Sequence, residues 1–205
     1  MRDAGYLRDV VRDALKVEVP RKIVLLRPQW QLTAEELPDV DQIISGEPPD
    51  GALSSLGRTW LAVLNPRLFK TDQVDIDPAG RPVYMSRYSC RILVWALEAD
   101  WDAAIKVRDR LAAVTRLSLL EWPNLKPGTY GDTGYRLHRN TYAEQFGEPV
   151  RLEARGGGRV WASAALAADV DVEETLADGS TRVPIGQAQT VAPSAQAAGP
   201  TKPLP

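Results

Sequence analysis

The chain has 205 residues, of which 44% are hydrophobic and 25% charged, and its formal net charge is −2. This length suffices for one sizeable core. The near-neutral charge excludes a general electrostatic affinity for nucleic acid or for an anionic membrane. With a single cysteine and a single histidine, an intramolecular disulfide is impossible and a four-ligand structural zinc site is close to excluded. No apolar run approaches the roughly 20 residues of a membrane span.

The N-terminal part predicts a helix followed by a short strand. Apolar residues recur at helical spacing from position 6 to position 15, and Pro20 predicts that the helix ends before it. Residues 21–27 then predict a strand, which Pro28 stops. Thr33 and Glu36 have the spacing of a capping box around one helical turn.

The middle of the chain predicts strands and then one long helix. Residues 59–64 predict a strand, residues 74–77 a short edge piece, and residues 77–80 a turn. Residues 88–97 alternate as a buried strand that contains Cys90, which we expect to be an inert thiol. Apolar positions then recur every three or four residues from 102 to 121, with Asp100 or Asp102 as the N-cap and Trp122-Pro123 as the stop.

The C-terminal part predicts a loop over residues 123–134, a surface strand over 135–139, and a hairpin. The hairpin joins residues 150–155 to residues 159–172 through three glycines at 156–158. Composition changes at position 183, where Pro, Ala, Gln and Thr begin to dominate. We therefore expect one domain over residues 1–182, with an insertion at 123–158, and an extended tail over 183–205.

Candidate catalytic groups are few. His138 fits a solvent or interface residue better than a general base. The carboxylates Asp169, Asp171 and Glu173 share one strand face, but the glycine-bent loop of a hard-cation site is absent, so a solvated or lumen-facing acidic strand is the better interpretation. The glycines beside Arg155 and Arg159 lack the phosphate-loop pattern. We expect no enzyme, no cofactor and no metal.

The order of elements resembles that of the tail terminator proteins of long-tailed bacteriophages, of the siphovirus type, particularly those of phages that infect actinobacteria. The residues that carry the resemblance are the strand at 92–97, the Asp- and Ala-rich start of the helix at 101–104, and the segment 107–111. The N-terminal helix and the closing strand at 168–175 add to it. The resemblance covers roughly residues 5–176, and the segments 123–158 and beyond 175 are departures from it.

The resemblance implies an α+β fold, with one mixed or antiparallel sheet and both the N-terminal and the central helix packed on one face. It implies a virion structural protein assembled in the host cytoplasm and located at the junction of tail and neck. Six copies would form a ring that caps the tail tube, contacts a head-completion or stopper protein, and lets double-stranded DNA pass without specific binding.

Charged residues can be assigned to such a ring as hypotheses. Asp169, Asp171 and Glu173 would line the lumen, because DNA slides past an acidic or neutral wall without sticking. Three arginines on the outside of the central helix would contact the neighbouring subunit, and three in the hairpin would contact DNA or a partner. The first set is Arg108, Arg110 and Arg116, and the second is Arg151, Arg155 and Arg159.

Three alternatives stay open at this point. Another neck component, such as a head-closure or stopper protein, would be richer in barrel strands and would lack the long central helix. A tail tube subunit would show a longer β-sandwich pattern. A free-standing α/β binding module would be a stable monomer with a concave apolar pocket.

Overall fold

The computed structural model describes residues 4–47, 57–138, 142–151 and 158–175. Within these ranges the chain forms two helices and one eight-stranded sheet. The helices are α1 (Ala4–Gln29) and α2 (Trp101–Glu121). The strands are β1 (Gln42–Ser45), β2 (Thr59–Val63), β3 (Arg67–Ile76), β4 (Pro82–Glu98), β5 (Tyr135–Leu137), β6 (Ala143–Phe146), β7 (Val150–Arg151) and β8 (Val160–Thr175). The predicted α+β class is confirmed.

A long antiparallel ladder between β4 and β8 forms the centre of the sheet. It runs from the pair Val83 and Thr175 to the pair Glu98 and Val160. Along the outer edge of β4, β2 and β3 follow one another, and β7, β6 and β5 do the same along β8. β1 pairs with β2 in parallel, which makes the sheet mixed.

The two faces of the sheet differ because side chains alternate along each strand. Both helices pack on the face that carries the even-numbered residues of β4 and β8, such as Ile92 and Leu166. Leu15 of α1 and Leu111 of α2 belong to the same buried cluster. We call the opposite side, which carries the odd-numbered residues, the helix-free face.

Three tryptophans form a second cluster on the helix-free face. Trp60 and Trp95 stack with ring centroids 5.1 Å apart, and Trp161 meets both rings edge-on. Trp60 is fully buried and Trp161 nearly so. Edge-to-face and stacked indoles of this kind add about 1 kcal/mol per pair to their area burial, so this end of the ladder is well packed on both sides.

The prediction that the first helix ends before Pro20 is wrong, as is the strand predicted for residues 21–27. α1 continues through Pro20 to Gln29. Val19, Ile23 and Leu26 extend the buried stripe of the first half and pack into the main core. Burial of these side chains offsets the backbone hydrogen bond that proline cannot donate.

Several local predictions are confirmed. Asp100 caps α2 by accepting a hydrogen bond from the Ala103 backbone N–H at 2.8 Å, and the helix ends before Trp122. The segment 159–172, predicted as the second arm of the hairpin, lies almost entirely in strand β8. Thr33 and Glu36 exchange the two hydrogen bonds of a capping box, at 3.0 and 3.2 Å.

Other elements differ in extent from the prediction or fall outside it. β3 is ten residues long, against an expected edge piece of four, and β1 and β6 were not predicted. The hairpin is present where β7 pairs with the start of β8. Its connection, 152–157, and the tail, 183–205, lie outside the described residues.

Candidate functional site

The three carboxylates predicted to share a strand face lie on the helix-free face of β8. In register they stand opposite Ser89, Arg87 and Met85 of β4. Their exposure differs. Asp171 is only 8% exposed, Asp169 is half-buried and Glu173 is exposed. One strand face therefore carries a nearly buried carboxylate between two more accessible ones.

Asp171 is the centre of a charged cluster with Arg87 and His138. The Arg87 guanidinium donates from Nε to Oδ1 at 2.8 Å and from Nη2 to Oδ2 at 3.2 Å. His138 Nε2 also lies against Oδ2, an arrangement that requires a proton on this nitrogen. Burial raises the pKa of Asp171, but hydrogen bonds from Arg87 and His138 outweigh it, so the pKa lies below its ordinary value.

This cluster changes the interpretation of two sequence-predicted residues. His138 is half-buried and lies against the Asp171 carboxylate, so it is not a fully solvent-exposed residue. Asp171 is largely neutralised by Arg87, so it adds little negative charge to the surface. Within the described ranges no group of three or more His, Cys, Asp or Glu side chains is placed to hold a metal ion.

The sequence predicts that Arg108 lies on the outside of α2, but in the structure its side chain is buried. Its side chain is 7% exposed. Its Nη1 donates to the Gly147 carbonyl at 2.7 Å, its Nε donates to Asp109 at 2.8 Å, and its guanidinium lies 5.0 Å from the centre of the Phe146 ring. Arg108 thus fastens the segment after β6 to the helix within one chain.

The other two arginines of α2 also contact their own chain. Arg110 donates to the backbone carbonyl of Glu36 at 2.7 Å, and Arg116 donates to a Glu144 carboxylate oxygen at 3.0 Å. Both remain partly exposed. Arg110 therefore holds the capping-box turn against α2, and Arg116 holds β6 against it.

The hairpin arginines are brought together only in part. Arg151 pairs in register with Val160, so it lies one residue away from Arg159, and both are exposed. Arg155 lies outside the described residues. Both described arginines thus lie near the start of β8.

A basic cleft that the sequence analysis missed lies where β2 ends and β3 begins. It has a volume of about 560 Å³ and is lined by Gly46, Glu47, Leu64, Asn65, Arg67, Ser89 and Arg91. Arg67 stands opposite Ser89 on the helix-free face, and Arg91 follows Ser89 by two residues on the same face. Only the pairing of β3 with β4 reveals this proximity, because 24 positions separate the two arginines in the chain.

An acidic cleft lies at the other end of β2, around the start of α2. It has a volume of about 420 Å³ and is lined by Glu35, Glu36, Arg58, Glu98, Asp100, Asp102, Ala103, Lys106, Val107 and Arg110. Arg58 binds Glu98 at 2.6 Å, and Arg110 lies 3.7 Å from Glu36. The carboxylates of Glu35 and Asp102 pair with no described residue, so the cleft keeps an excess of negative charge.

β3 exposes an edge of the sheet. Eight of its ten residues are exposed, and β4 is its only pairing partner among the described strands. Phe69, Val74 and Ile76 are 74%, 53% and 60% exposed. An uncovered edge with apolar side chains is a surface that accepts another strand or chain.

Comparison with known protein families and with curated proteins finds no match to this chain. Neither described helix is long and apolar enough to cross a membrane.

Proposed function

We propose that this protein is a tail terminator of a long-tailed bacteriophage. In this proposal six copies form a ring that caps the tail tube and joins it to a head-completion protein, while DNA passes through the lumen. The single observation that carries the proposal is the edge strand β3, whose outer side is paired with no other described strand. A chain that works alone would have reason to cover such an edge, whereas a chain that assembles uses it.

The exposure of β3 argues for a neighbour in particular. Its apolar residues Phe69, Val74 and Ile76 are all more than half exposed. The strand also carries two bulges, at Leu68/Lys70 and at Gln73/Asp75, which limit open-ended pairing with further strands. A limited, shape-specific contact of this kind supports a closed assembly over an open fibre.

The helix-free face supports a passage for DNA. Asp169 and Glu173 place carboxylates on it, while Arg87 neutralises Asp171. Because these carboxylates share the face with Arg67 and Arg91, its net charge is low, and a wall of low net charge does not retain a polyanion. Charge reversal of the lining carboxylates should hinder DNA passage and leave the ring intact. Glu173 is the residue to reverse, since a change at Asp171 would also break the ion pair that it makes with Arg87.

The length of α2 favours the terminator over a head-closure protein. The helix has 21 residues and packs along the central ladder, whereas the head-closure alternative is associated with barrel strands and no long helix. The clefts at the two ends of β2 are lined mainly by charged and polar residues, unlike the apolar pocket expected of a free-standing binding module.

The proposal is tested by native mass spectrometry of the purified protein at increasing concentration, with negative-stain images of the same samples. We expect a six-copy species and ring-shaped particles with an open centre. A twelve-copy ring would point to another neck component. A protein that stays monomeric both alone and with purified tail tubes would contradict the proposal.

A variant pair locates the contact. Val74→Lys/Ile76→Lys adds two charges to the exposed side chains of β3, and we expect the ring to be lost with the fold unchanged. Val17→Lys/Val24→Lys adds the same charge to exposed positions of α1, 57% and 65% accessible, and should leave the ring intact. The reverse outcome would place the contact on α1 and remove the argument from β3.

A further inference from the structure

The basic cleft beside β3 holds two arginines that no described residue neutralises. Most arginines in the described ranges make an ion pair within the chain, as Arg58 does with Glu98 and Arg87 with Asp171. The side chains of Arg67 and Arg91, in contrast, have no hydrogen-bond or ion-pair partner among the described residues, and both residues are exposed. They are diagonal neighbours on one sheet face, a spacing at which side chains interact and like charges repel. An anion placed between them would relieve this repulsion.

The other groups in the cleft suit an oxyanion. The Asn65 carboxamide oxygen accepts from Arg8 at 2.8 Å, which leaves its N–H₂ group as a donor. Ser89, which stands opposite Arg67 in the sheet, adds a hydroxyl to the lining. Glu47 is the acidic residue of the lining. Forked guanidinium donors bind carboxylates and phosphates in two-point contacts.

The backbone around the cleft is held in place. The Leu64 N–H donates to the Arg91 carbonyl at 2.9 Å, and the Gly46 N–H donates to the Val63 carbonyl at 2.8 Å. Gly46 has φ +82°, a conformation that glycine adopts without strain. The backbone that carries the cleft is therefore fixed by hydrogen bonds to the sheet.

A carboxylate fits this cleft better than the phosphates of DNA do. Two arginines neutralise only two phosphates, and non-specific DNA binding draws its affinity from many such contacts. The chain itself carries 27 acidic against 25 basic residues, and its acidic cleft presents the unpaired carboxylates of Glu35 and Asp102. The two oppositely charged clefts lie at opposite ends of β2, which at five residues spans about 17 Å.

We propose that the basic cleft around Arg67 and Arg91 binds the acidic cleft around Glu35 and Asp102 of a second copy of this chain. The inference rests on the proposed ring, because a head-to-tail contact between two different patches is the kind that closes into a cyclic assembly. Each copy offers one cleft of each sign, so every contact around the ring is the same.

Charge exchange between two variants tests this contact. Arg67→Glu/Arg91→Glu reverses the basic cleft, and Glu35→Lys/Asp102→Lys reverses the acidic one. Sedimentation velocity at low salt measures association of each variant alone, of their equimolar mixture, and of the wild type. We expect each variant alone to need at least about tenfold more protein for half-association, and the mixture to recover, since native and exchanged contacts then alternate. Association of the wild type should weaken as salt is raised.

Matched controls separate a local effect from a change in net charge. Lys126→Glu/Arg136→Glu makes the same charge change at exposed positions outside the cleft and should associate as the wild type does. Circular dichroism checks that each variant is folded. Undiminished association of the two cleft variants, or a mixture that fails to recover, would overturn the inference.

The outcomes also separate this inference from the proposed function. A six-copy ring that survives both cleft reversals would retain the function and remove the inference. Charge-dependent dimers or chains without a six-copy ring would retain the inference and remove the function. If duplex DNA binding, measured by anisotropy, depended on Arg67 and Arg91 while association did not, the cleft would take phosphate and the inference would be wrong.

Discussion

Asp171 and Glu173 lie two residues apart on one strand face, but we expect them to respond oppositely to the same change. Asp171→Asn keeps the shape of the side chain and removes its charge. Its carboxylate accepts two hydrogen bonds from Arg87, at 2.8 and 3.2 Å, and one from His138. Charge-assisted hydrogen bonds contribute roughly 1.5–3 kcal/mol each when buried. Because Arg87 is partly exposed, we expect a total loss of about 2 kcal/mol in the free energy of unfolding.

Glu173→Gln is the matched control. The Glu173 side chain is exposed and pairs with no described residue, so its neutralisation should change the free energy of unfolding by less than about 0.5 kcal/mol. The assay is urea unfolding of both variants and the wild type at neutral pH, followed by circular dichroism. Equal effects of the two substitutions would refute the structural role of Asp171 and restore its interpretation as a solvated carboxylate.

The same comparison has a pH dependence with a definite sign. The folded-state pKa of Asp171 is lowered, against the effect of burial, by Arg87 and His138. A group of this kind contributes fully above its unfolded pKa, about 3.9, and its contribution is lost as pH falls through the folded pKa. The stability difference between the wild type and Asp171→Asn should therefore be constant above about pH 5 and shrink at lower pH. A difference that grows on acidification would contradict the assignment.

Three further predictions concern the helices and the core thiol. Pro20→Ala should raise the free energy of unfolding by roughly 1–2 kcal/mol, because it restores a helix hydrogen bond and improves helix propensity. These gains exceed the opposing effect that alanine leaves the unfolded chain more conformational freedom than proline does. A loss of stability in urea unfolding would contradict a continuous α1. Asp100→Ala should cost about 1 kcal/mol through loss of the α2 N-cap, and Asp102→Ala should cost less, as thermal unfolding would show. Burial raises the pKa of the Cys90 thiol to about 12, so it should react with a thiol reagent at pH 8 only after denaturation, and rapid labelling of the native protein would show that β4 opens.

The hydrophobic pattern predicts the centre of this fold because period and burial agree there. In β4 the residues from Tyr88 to Ala96 alternate between the helical core and the helix-free face, and α2 keeps one apolar stripe from Ala104 onward. Such long, strongly periodic segments define their own secondary structure.

The second half of the first helix was missed because tertiary packing overrode a local rule. Proline at position 20 signals a helix end, and Ile23 to Leu26 has the composition of a strand. In the fold, burial of Ile23 and Leu26 against the sheet decides in favour of the helix. The sequence pattern of residues 20–29 does not by itself predict that burial.

The charged sites depend on contacts between distant segments, which the pattern of one segment cannot predict. Arg87 meets Asp171 across 84 positions of the chain, and Arg108 meets the Gly147 carbonyl across 39. Periodicity assigns Arg108 to a helix but does not tell which neighbour will cover it. The short strands β1 and β6 acquire their structure from pairing with β2 and β8, so their own residues carry little signal.

The central ladder also constrains when the protein can fold during synthesis. β4 must find β8, although their closest paired residues, Glu98 and Val160, are 62 positions apart. β8 is in addition the partner of β5, β6 and β7, so these three short strands have no sheet to join until it exists. Contacts this distant in sequence slow folding and prolong the exposure of unpaired edges. A ribosome-bound chain that stops before residue 160 therefore lacks half of its sheet, and the sheet can close only after β8 has been synthesised.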